Sequence, residues 1–313
     1  MAVFTTDFPA IINSQTSDYS KSYYETFEAM PPDGWERIMT EIGPQNKPHY
    51  TRVSLGSIPI ADERPGPMAD FISQAISERY RLILTLTEWG NRFDTPIKTM
   101  PKLSAGYLAR ISVAFARAIY ERVNVRAWAL LNGAFNAATF TTPDAKAICA
   151  NDHPREDGGV IDNLAALAFS TGALTTVMAQ RDRFVDPQGK IYARGGGSVF
   201  LVTPVELTAS ANAAVKANWQ LEMDATGVAA IGDDFNPHKT VVPLSSRYLT
   251  NAADWFVIDQ PIPEEHGLLV WLETPPQLKQ GTNEDKDYFW LHSSCEVGVG
   301  CGNYYQIVGS DAP

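Results

Sequence analysis

Apolar residues recur at steps of three and four between residues 103 and 132, and this spacing predicts the longest helix of the chain. The repeating positions are Leu103, Tyr107, Ile111, Phe115, Ala118 and Arg122. Ser104 is suited to cap the start of this helix, and Gly133 follows its end. A helix of about thirty residues measures roughly 45 Å, which is long for a globular domain.

Two runs before this helix alternate in the way that strands do, at residues 49–55 and residues 80–87. The segment between them contains Arg64, Pro65, Gly66, Pro67 and Met68. Proline and glycine in this order interrupt regular structure. The pattern therefore predicts a long hairpin with a mobile tip near residues 64–68.

The rest of the chain mixes helices and strands. A second helix is predicted over residues 162–183, with Asp162 or Asn163 as its N-cap. Residues 198–202 form a short apolar strand, and Pro204 begins a further helix. Later strands are predicted at residues 240–242, 255–258 and 268–272, and in the tail over residues 288–308. This order indicates an α+β fold with segregated elements, because strands and helices do not alternate regularly.

Residues 1–47 have the character of an arm. Phe4, Phe8, Tyr23 and Tyr24 are among the aromatic residues that are scattered between serine, threonine and aspartate. A segment with many aromatic residues and little core of its own is expected to pack on another surface. We expect that surface to include a neighbouring subunit.

Composition and charge exclude several classes of protein. The chain has 313 residues, of which 44% are hydrophobic, and a net charge of −11. An acidic protein is poorly suited to hold nucleic acid through its phosphates. Three cysteines form an odd set without a CxxC pair, which indicates a reducing compartment and no zinc site. No charged leader and no apolar run of about 18 residues is present, so we expect a cytoplasmic protein that does not enter a membrane.

One loop contains side chains that could perform chemistry. Cys149, Asp152, His153, Glu156 and Asp157 lie within nine residues, which suggests a metal-dependent hydrolase centred on Asp152 and His153 as one alternative. Their spacing matches no standard set of metal ligands, so a solvated loop is the preferred interpretation. We therefore expect no catalytic residue, metal or cofactor.

Other candidate motifs are weaker. The run of glycines at residues 194–198 precedes a strand, whereas a phosphate-binding loop precedes a helix. The five histidines are far apart, and no Gly-x-Ser-x-Gly motif occurs. Cys295 and Cys301 are interpreted as small buried hydrophobic residues.

Three stretches resemble the major capsid proteins of tailed double-stranded DNA phages, which have the HK97-like fold, and within them the Mu-like head subunits in particular. The first is the Asp-His-Pro segment at residues 150–154, and the second is the strand-to-helix transition at residues 200–207. The third comprises residues 241–259 together with Glu273, Thr274, Pro275 and Pro276. Together they follow the order of that family over about 130 residues.

The resemblance implies a division of the chain into the parts of that fold. The expected parts are an N-terminal arm (1–47), an extended hairpin called the E-loop (48–98), a P-domain with a long spine helix (99–197), an A-domain (198–265) and strands that return to the P-domain (266–313). An encapsulin-like compartment shell has the same architecture and is the alternative.

The resemblance also implies a function and its partners. It implies a structural subunit that assembles with itself, as pentamers and hexamers, into an icosahedral or prolate head shell around DNA. A scaffolding protein, a portal and possibly a decoration protein are the expected partners. Packaged DNA would be confined by the shell and not specifically bound. Assembly contacts are expected at Phe4, Phe8, Tyr23, Tyr24 and residues 64–68. Some shells of this fold join an E-loop lysine to an asparagine of a neighbour, but residues 49–97 contain no lysine.

Overall fold

A computed structural model describes the chain from residue 18 to residue 312, with gaps. The described ranges are 18–55, 78–102, 105–155, 158–185, 197–216, 221–223, 229–231, 236–262, 267–283 and 286–312. Phe4, Phe8 and the predicted hairpin tip at residues 64–68 lie outside these ranges.

The described residues contain four α-helices and fifteen strands. The helices are α1 (Asp18–Ala29), α2 (Ala105–Asn132), α3 (Thr171–Asp182) and α4 (Thr208–Lys216). The strands are β1 (Thr40–Ile42), β2 (His49–Leu55), β3 (Glu78–Thr85), β4 (Thr87–Pro96), β5 (His153–Pro154), β6 (Val160–Ile161), β7 (Leu164–Ala165), β8 (Val199–Pro204), β9 (Leu221–Met223), β10 (Ala229–Ile231), β11 (Val241–Ser246), β12 (Trp255–Asp259), β13 (Leu268–Asn283), β14 (Tyr288–Cys301) and β15 (Ile307–Ser310). No helix in these ranges is both long and apolar enough to cross a membrane.

The chain divides into two compact units. Unit 1 consists of residues 1–50, 84–130 and 269–299, and unit 2 consists of residues 51–83, 131–268 and 300–313. Both units combine segments that are distant in sequence. Late segments of the chain belong to both units, and the linear division implied by the resemblance stays a prediction.

Unit 1 is built on a four-stranded sheet with the order β1-β13-β14-β4. β4 and β14 are antiparallel and form an unbroken ladder from Thr87 opposite Val297 to Pro96 opposite Tyr288. β1 is parallel to β13 and pairs with Leu269, Val270 and Trp271. Several large side chains are fully buried in this unit, including Tyr23, Trp35, Trp128 and Trp271.

The long helix α2 confirms the predicted spine helix, but its buried face differs from the predicted one. One buried apolar stripe contains Leu108, Ala116, Ile119, Val123 and Ala127, which recur at steps of three, four and eight. Tyr107 is 45% exposed, and Ala118 and Arg122 are also exposed. Apolar residues lie on both sides of this helix, so its periodicity predicted a helix without deciding which stripe would be buried.

Unit 2 is built on a five-stranded mixed sheet with the order β11-β8-β12-β15-β7. β8 and β11 are parallel, whereas β12 is antiparallel to β8 and β15. One hydrophobic cluster connects α3 and α4 to this sheet through Leu174, Val177, Ala211 and Leu201. The order of strand and helix confirms the predicted transition, since β8 is followed by a 3-10 turn at Val205–Leu207 and then by α4. The prediction that Pro204 begins the helix was wrong, because Pro204 is the last residue of the strand.

The second predicted helix begins later than expected. α3 starts at Thr171, and the side chain of Ser170 caps it by accepting a hydrogen bond from the Ala173 amide at 3.0 Å. Leu164 and Ala165 instead form β7, which pairs with Gly309 and Ser310. The prediction of a cap at Asp162 or Asn163 was therefore wrong.

Asn163 explains this difference, since its side chain is buried and connects three segments. It accepts a hydrogen bond from the Ala150 amide at 2.8 Å and donates to the carbonyls of Ile148 at 2.9 Å and Ile307 at 3.1 Å. These bonds hold the backbone in an extended conformation. The pairing partner lies more than 140 residues away, where a local pattern cannot reveal it.

Candidate functional site

The loop with the candidate chemistry is divided by its fold into a buried and an exposed part. His153 is buried, and its Nδ1 atom lies 2.7 Å from Oδ2 of Asp144. The imidazole also stacks on the ring of Tyr304, with the ring centroids 3.8 Å apart. Nε2 of His153 has no hydrogen-bond partner among the described residues. His153 is thus a packed residue of the unit 2 interior.

Asp144 is the partner that the sequence did not reveal. Burial raises its pKa, but the hydrogen bonds from His153 and Thr142 outweigh burial, and the pKa is lower than its ordinary value. An ionised carboxylate accepts hydrogen bonds, so Nδ1 of His153 donates. A faint signal was present in the turn residues around Pro143, because aspartate after proline is common in turns.

Asp152 and Cys149 do not join His153 in a reactive site. Asp152 is exposed and forms an ion pair with Nζ of Lys146. Cys149 is buried, and burial raises the pKa of its thiol well above the ordinary value. A buried neutral thiol is a poor nucleophile and a poor metal ligand. Glu156 and Asp157 lie outside the described residues.

Metal binding has no support in the described parts of the chain. No group of three histidine, cysteine, aspartate or glutamate side chains in these ranges could hold a metal ion. Nδ1 of His153 and Oδ2 of Asp144 pair in the interior of unit 2. The geometry of the described residues of this loop does not favour the hydrolase alternative.

The other predicted motifs also have structural explanations. Cys295 and Cys301 are buried, as predicted, and burial raises the pKa of each thiol to about 12. Gly197 lies just before β8, where a Cβ atom would approach Cβ of Gln260 to 2.8 Å. The Ser198 carbonyl accepts a hydrogen bond from the Gln260 amide at 2.9 Å. Gly197 therefore permits close approach of two segments of the chain before a strand, and Arg194, Gly195 and Gly196 lie outside the described residues.

Two of the predicted assembly residues lie in the core of unit 1. The hydroxyl of Tyr23 hydrogen-bonds to Oγ of Ser293 at 2.8 Å, and the hydroxyl of Tyr24 accepts a bond from the Leu278 amide at 3.3 Å. Both side chains are buried, and burial raises the pKa of Tyr23. They pack within the subunit, and their part in assembly stays a prediction.

The base of the predicted hairpin is anchored by a carboxylate. Glu273 of β13 accepts hydrogen bonds from the backbone amides of Gln45 at 2.6 Å and Asn46 at 2.5 Å. Asn46 has a positive φ of 55°, which lets successive amides converge on one anion. Tyr50 then packs on Trp271, with ring centroids 5.9 Å apart. This anchor fixes where β2 begins, and nothing in the local sequence indicated it.

The hairpin strands themselves agree with the sequence. β2 covers residues 49–55 as predicted, and β3 covers residues 78–85. The two strands pair with each other in a sheet of their own. The hairpin strands, the long helix and the strand-to-helix transition after β8 are the elements that the resemblance to HK97-like shell proteins implied.

Comparison with known proteins identifies the family. Residues 94–309 match the profile of the phage capsid protein family, and the chain belongs to this family. No curated protein matches the sequence significantly. The chain is a structural shell subunit with an HK97-like fold, which confirms the predicted fold class and structural role.

Two solved structures show the same fold at low sequence identity. The capsid of the cyanophage P-SCSP1u is 11% identical, with a TM-score of 0.53 over 100% of this chain and 99% of that chain. The virus-like particle from Pyrococcus furiosus is 9% identical, with a TM-score of 0.52 over 94% of this chain and 98% of that chain. Similarity to the Mu-like head subunits in particular stays a prediction.

Proposed function

We propose that many copies of this chain assemble, as pentamers and hexamers, into the closed head shell of a tailed phage. The family match over residues 94–309 is the observation that supports this proposal. The shell encloses double-stranded DNA in the virion head and is assembled in the cytoplasm of the host bacterium. A scaffolding protein, a portal and a decoration protein are the proposed partners.

The net charge of −11 supports confinement of DNA and not specific binding. Phosphate contacts require clustered lysine and arginine, and packaged DNA must slide along the inner wall during filling. We expect dissociated subunits to show no retention on duplex DNA at physiological salt.

Electron microscopy in negative stain, with light scattering on the same fraction, tests the assembly directly. We expect closed shells, or rings of five or six subunits, from the purified chain or from its co-expression with the neighbouring head genes. An inert monomer under both conditions would contradict the proposed function.

The hairpin tip is proposed to contact a neighbouring subunit through residues 64–68. Replacing Gly66 or deleting Pro65, Gly66 and Pro67 should reduce the yield of shells more than it changes the melting temperature of the subunit. Gly43→Ala is a suitable control, because a Cβ at Gly43 meets no atom within 4 Å. Normal assembly of the tip deletion would contradict the proposed contact.

Shells of this protein should contain no covalent cross-link through a hairpin lysine, because residues 49–97 contain none. On denaturing gels of purified shells we expect a single band at the subunit mass. A ladder of higher bands that survives boiling and reducing agent would overturn this prediction.

A further inference from the structure

The edge strands of the two larger sheets differ in how well they are protected against pairing with another chain. In unit 2, the edge strand β7 has two residues, and the opposite edge strand β11 contains Pro243. In unit 1, the edge strand β1 has three residues. Short edges and proline are the usual devices that prevent a sheet from pairing with another chain.

The part of β13 that follows its pairing with β1 is protected up to Pro276. Pro275 and Pro276 lie within β13, and proline cannot donate a hydrogen bond to an added strand. At Glu273, the loop containing Gln45 and Asn46 is bound to the carboxylate beside this strand. Beyond the prolines, the Leu278 amide donates to the hydroxyl of Tyr24 at 3.3 Å. From Leu269 to Pro276, this edge of the unit 1 sheet is therefore a poor partner for a further strand.

β4 lacks all of these protections. It has ten residues, and its ladder with β14 runs without a bulge from Thr87 to Pro96. No described residue pairs with its outer edge. The only proline is Pro96, the last residue of the strand. A long, regular and unpaired edge of this kind is a template for pairing with another chain.

The register shows which backbone groups of β4 are available. The Ile97 amide donates to the Asp287 carbonyl at 3.0 Å, in the pair that follows Pro96 and Tyr288. In an antiparallel ladder the hydrogen-bonded pairs alternate with pairs whose groups point outward. The amides of Trp89, Asn91, Phe93 and Thr95 thus point to β14, and those of Glu88, Gly90, Arg92 and Asp94 point outward. Pro96 has no amide hydrogen and falls in the outward set, which agrees with this assignment.

The side chains of β4 do not cover this edge. The guanidinium of Arg92 lies 5.6 Å from the ring centroids of both Tyr288 and Trp290 and hydrogen-bonds to Asp94 at 2.8 Å. It is therefore held over the face of the sheet. On the opposite face, Phe93 packs on Tyr107, which is 45% exposed and provides an apolar flank next to the edge.

We infer that the outer edge of β4 binds an extended segment of a second copy of this chain, which adds a strand to the unit 1 sheet. The inference rests on the proposed function, because a shell places identical subunits side by side. Backbone pairing supplies affinity without requiring opposite charges, which suits two copies that are each acidic. Rings of five or six need heterologous contacts, so the added segment is a different part of the second copy.

Amide hydrogen exchange at single-residue resolution tests this inference on the unaltered protein. In dissociated subunits, the amides of Glu88, Gly90, Arg92 and Asp94 should exchange rapidly, whereas those of Trp89, Asn91, Phe93 and Thr95 are protected. In assembled shells, the outward amides should slow by at least about tenfold. Outward amides that exchange equally fast in shells and subunits would overturn the inference.

A pair of variants provides an independent test. Glu88→Pro removes one outward amide, and Glu88→Ala keeps it. We expect Glu88→Ala to assemble normally and Glu88→Pro to lose most of its shell yield, while the melting temperatures of the two subunits agree. Normal assembly of a folded Glu88→Pro variant would contradict the inference. If Glu88→Pro does not fold, the exchange experiment decides.

The proposed function and the proposed β4 contact would be contradicted by different results. If the unaltered chain forms no shell with its head genes, the proposed function and the β4 contact are both contradicted. If shells form but their outward β4 amides stay exchangeable, only the β4 contact is contradicted.

Discussion

Two acidic side chains, one in each compact unit, lie in opposite environments. In unit 2, Asp144 is bonded to His153 and Thr142, and these bonds keep its pKa below the ordinary value despite burial. In unit 1, Glu41 of β1 is half-buried and has no such partner in the described part of the chain. Burial, with a smaller contribution from the charge of Glu36, raises its pKa from 4.5 to about 7.

Glu36, whose charge contributes to the raised pKa of Glu41, is itself only partly hydrogen-bonded. Glu36 accepts a hydrogen bond from the Gly34 amide at 2.8 Å through one carboxylate oxygen, while its other oxygen is buried without a partner among the described residues. Burial acts in the same direction on Asp144 and Glu41, and the donors within hydrogen-bond distance of Asp144 account for the difference between their pKa shifts.

The two environments imply opposite dependences of stability on pH. A lowered folded pKa means that Asp144 stabilises the fold at neutral pH and that this contribution is lost as the pH falls through its folded pKa. A raised folded pKa means that Glu41 costs nothing below pH 4.5, where it is protonated in both states. Its cost grows as the pH rises to about 7, because only the unfolded chain then releases the proton freely.

Removing the partner of Asp144 should have the largest effect. His153→Ala leaves the carboxylate buried without its main donor and removes the ring that stacks on Tyr304. We expect a loss of about 3 to 5 kcal/mol in the free energy of unfolding at pH 7. Calorimetry of dissociated subunits measures it. A loss below about 1 kcal/mol would show that the pair contributes little to the fold.

Neutralising Glu41 should stabilise the subunit, in contrast to most substitutions. Glu41→Gln removes the cost of ionisation, and we expect a gain of about 1 to 3 kcal/mol at pH 8 and almost none at pH 4. Melting temperatures at the two pH values measure this gain. Glu28→Gln, at an exposed position of α1, is the matched control. An equal effect of Glu41→Gln at both pH values would contradict the assigned cause.

Removing one of the minor donors to Asp144 should have a smaller effect. Thr142→Val keeps the shape of the side chain and deletes the hydroxyl that bonds to Asp144. We expect a loss of about 1 kcal/mol at neutral pH, because one hydrogen bond to a charged group is removed. The loss should diminish as the pH falls through the folded pKa of Asp144, which lies below the ordinary value. Chemical denaturation over a series of decreasing pH values from pH 7 tests this dependence.

Replacing Asp152, the exposed neighbour of His153, should have the smallest effect on the free energy of unfolding. Asp152→Ala removes an ion pair with Lys146 whose two side chains are substantially exposed. Such pairs contribute less than about 1 kcal/mol, and we expect a change below about 0.5 kcal/mol. Denaturation curves of Asp152→Ala and His153→Ala, measured together, compare adjacent residues. A large effect of Asp152→Ala would mean that the loop depends on its surface charge.

Much of the fold could be predicted from local patterns. The long helix, the hairpin strands and the transition at Pro204 all agree with the periodicity of the residues. The failures share one cause. The buried stripe of α2 and the strand at Leu164 depend on partners that are distant in sequence, and a local pattern contains no information about them.

The candidate site shows the same limit. The sequence placed Asp152 and His153 together as potential catalysts, since they are adjacent. In the structure their side chains have separate partners, Lys146 and Asp144. Adjacent residues in an extended segment point to opposite sides, so the side chains of these two sequence neighbours lie in different surroundings.

The sequence by itself determined the types of element, their order and the family. These properties follow from residue spacing, from turn residues and from motifs that persist along the chain. Only the tertiary structure decided that Tyr23 and Tyr24 fill a core, that Asn163 connects three segments and that β4 has an open edge. Each of these depends on which distant segments of the chain pack or pair with each other. Local residue patterns do not specify those partners.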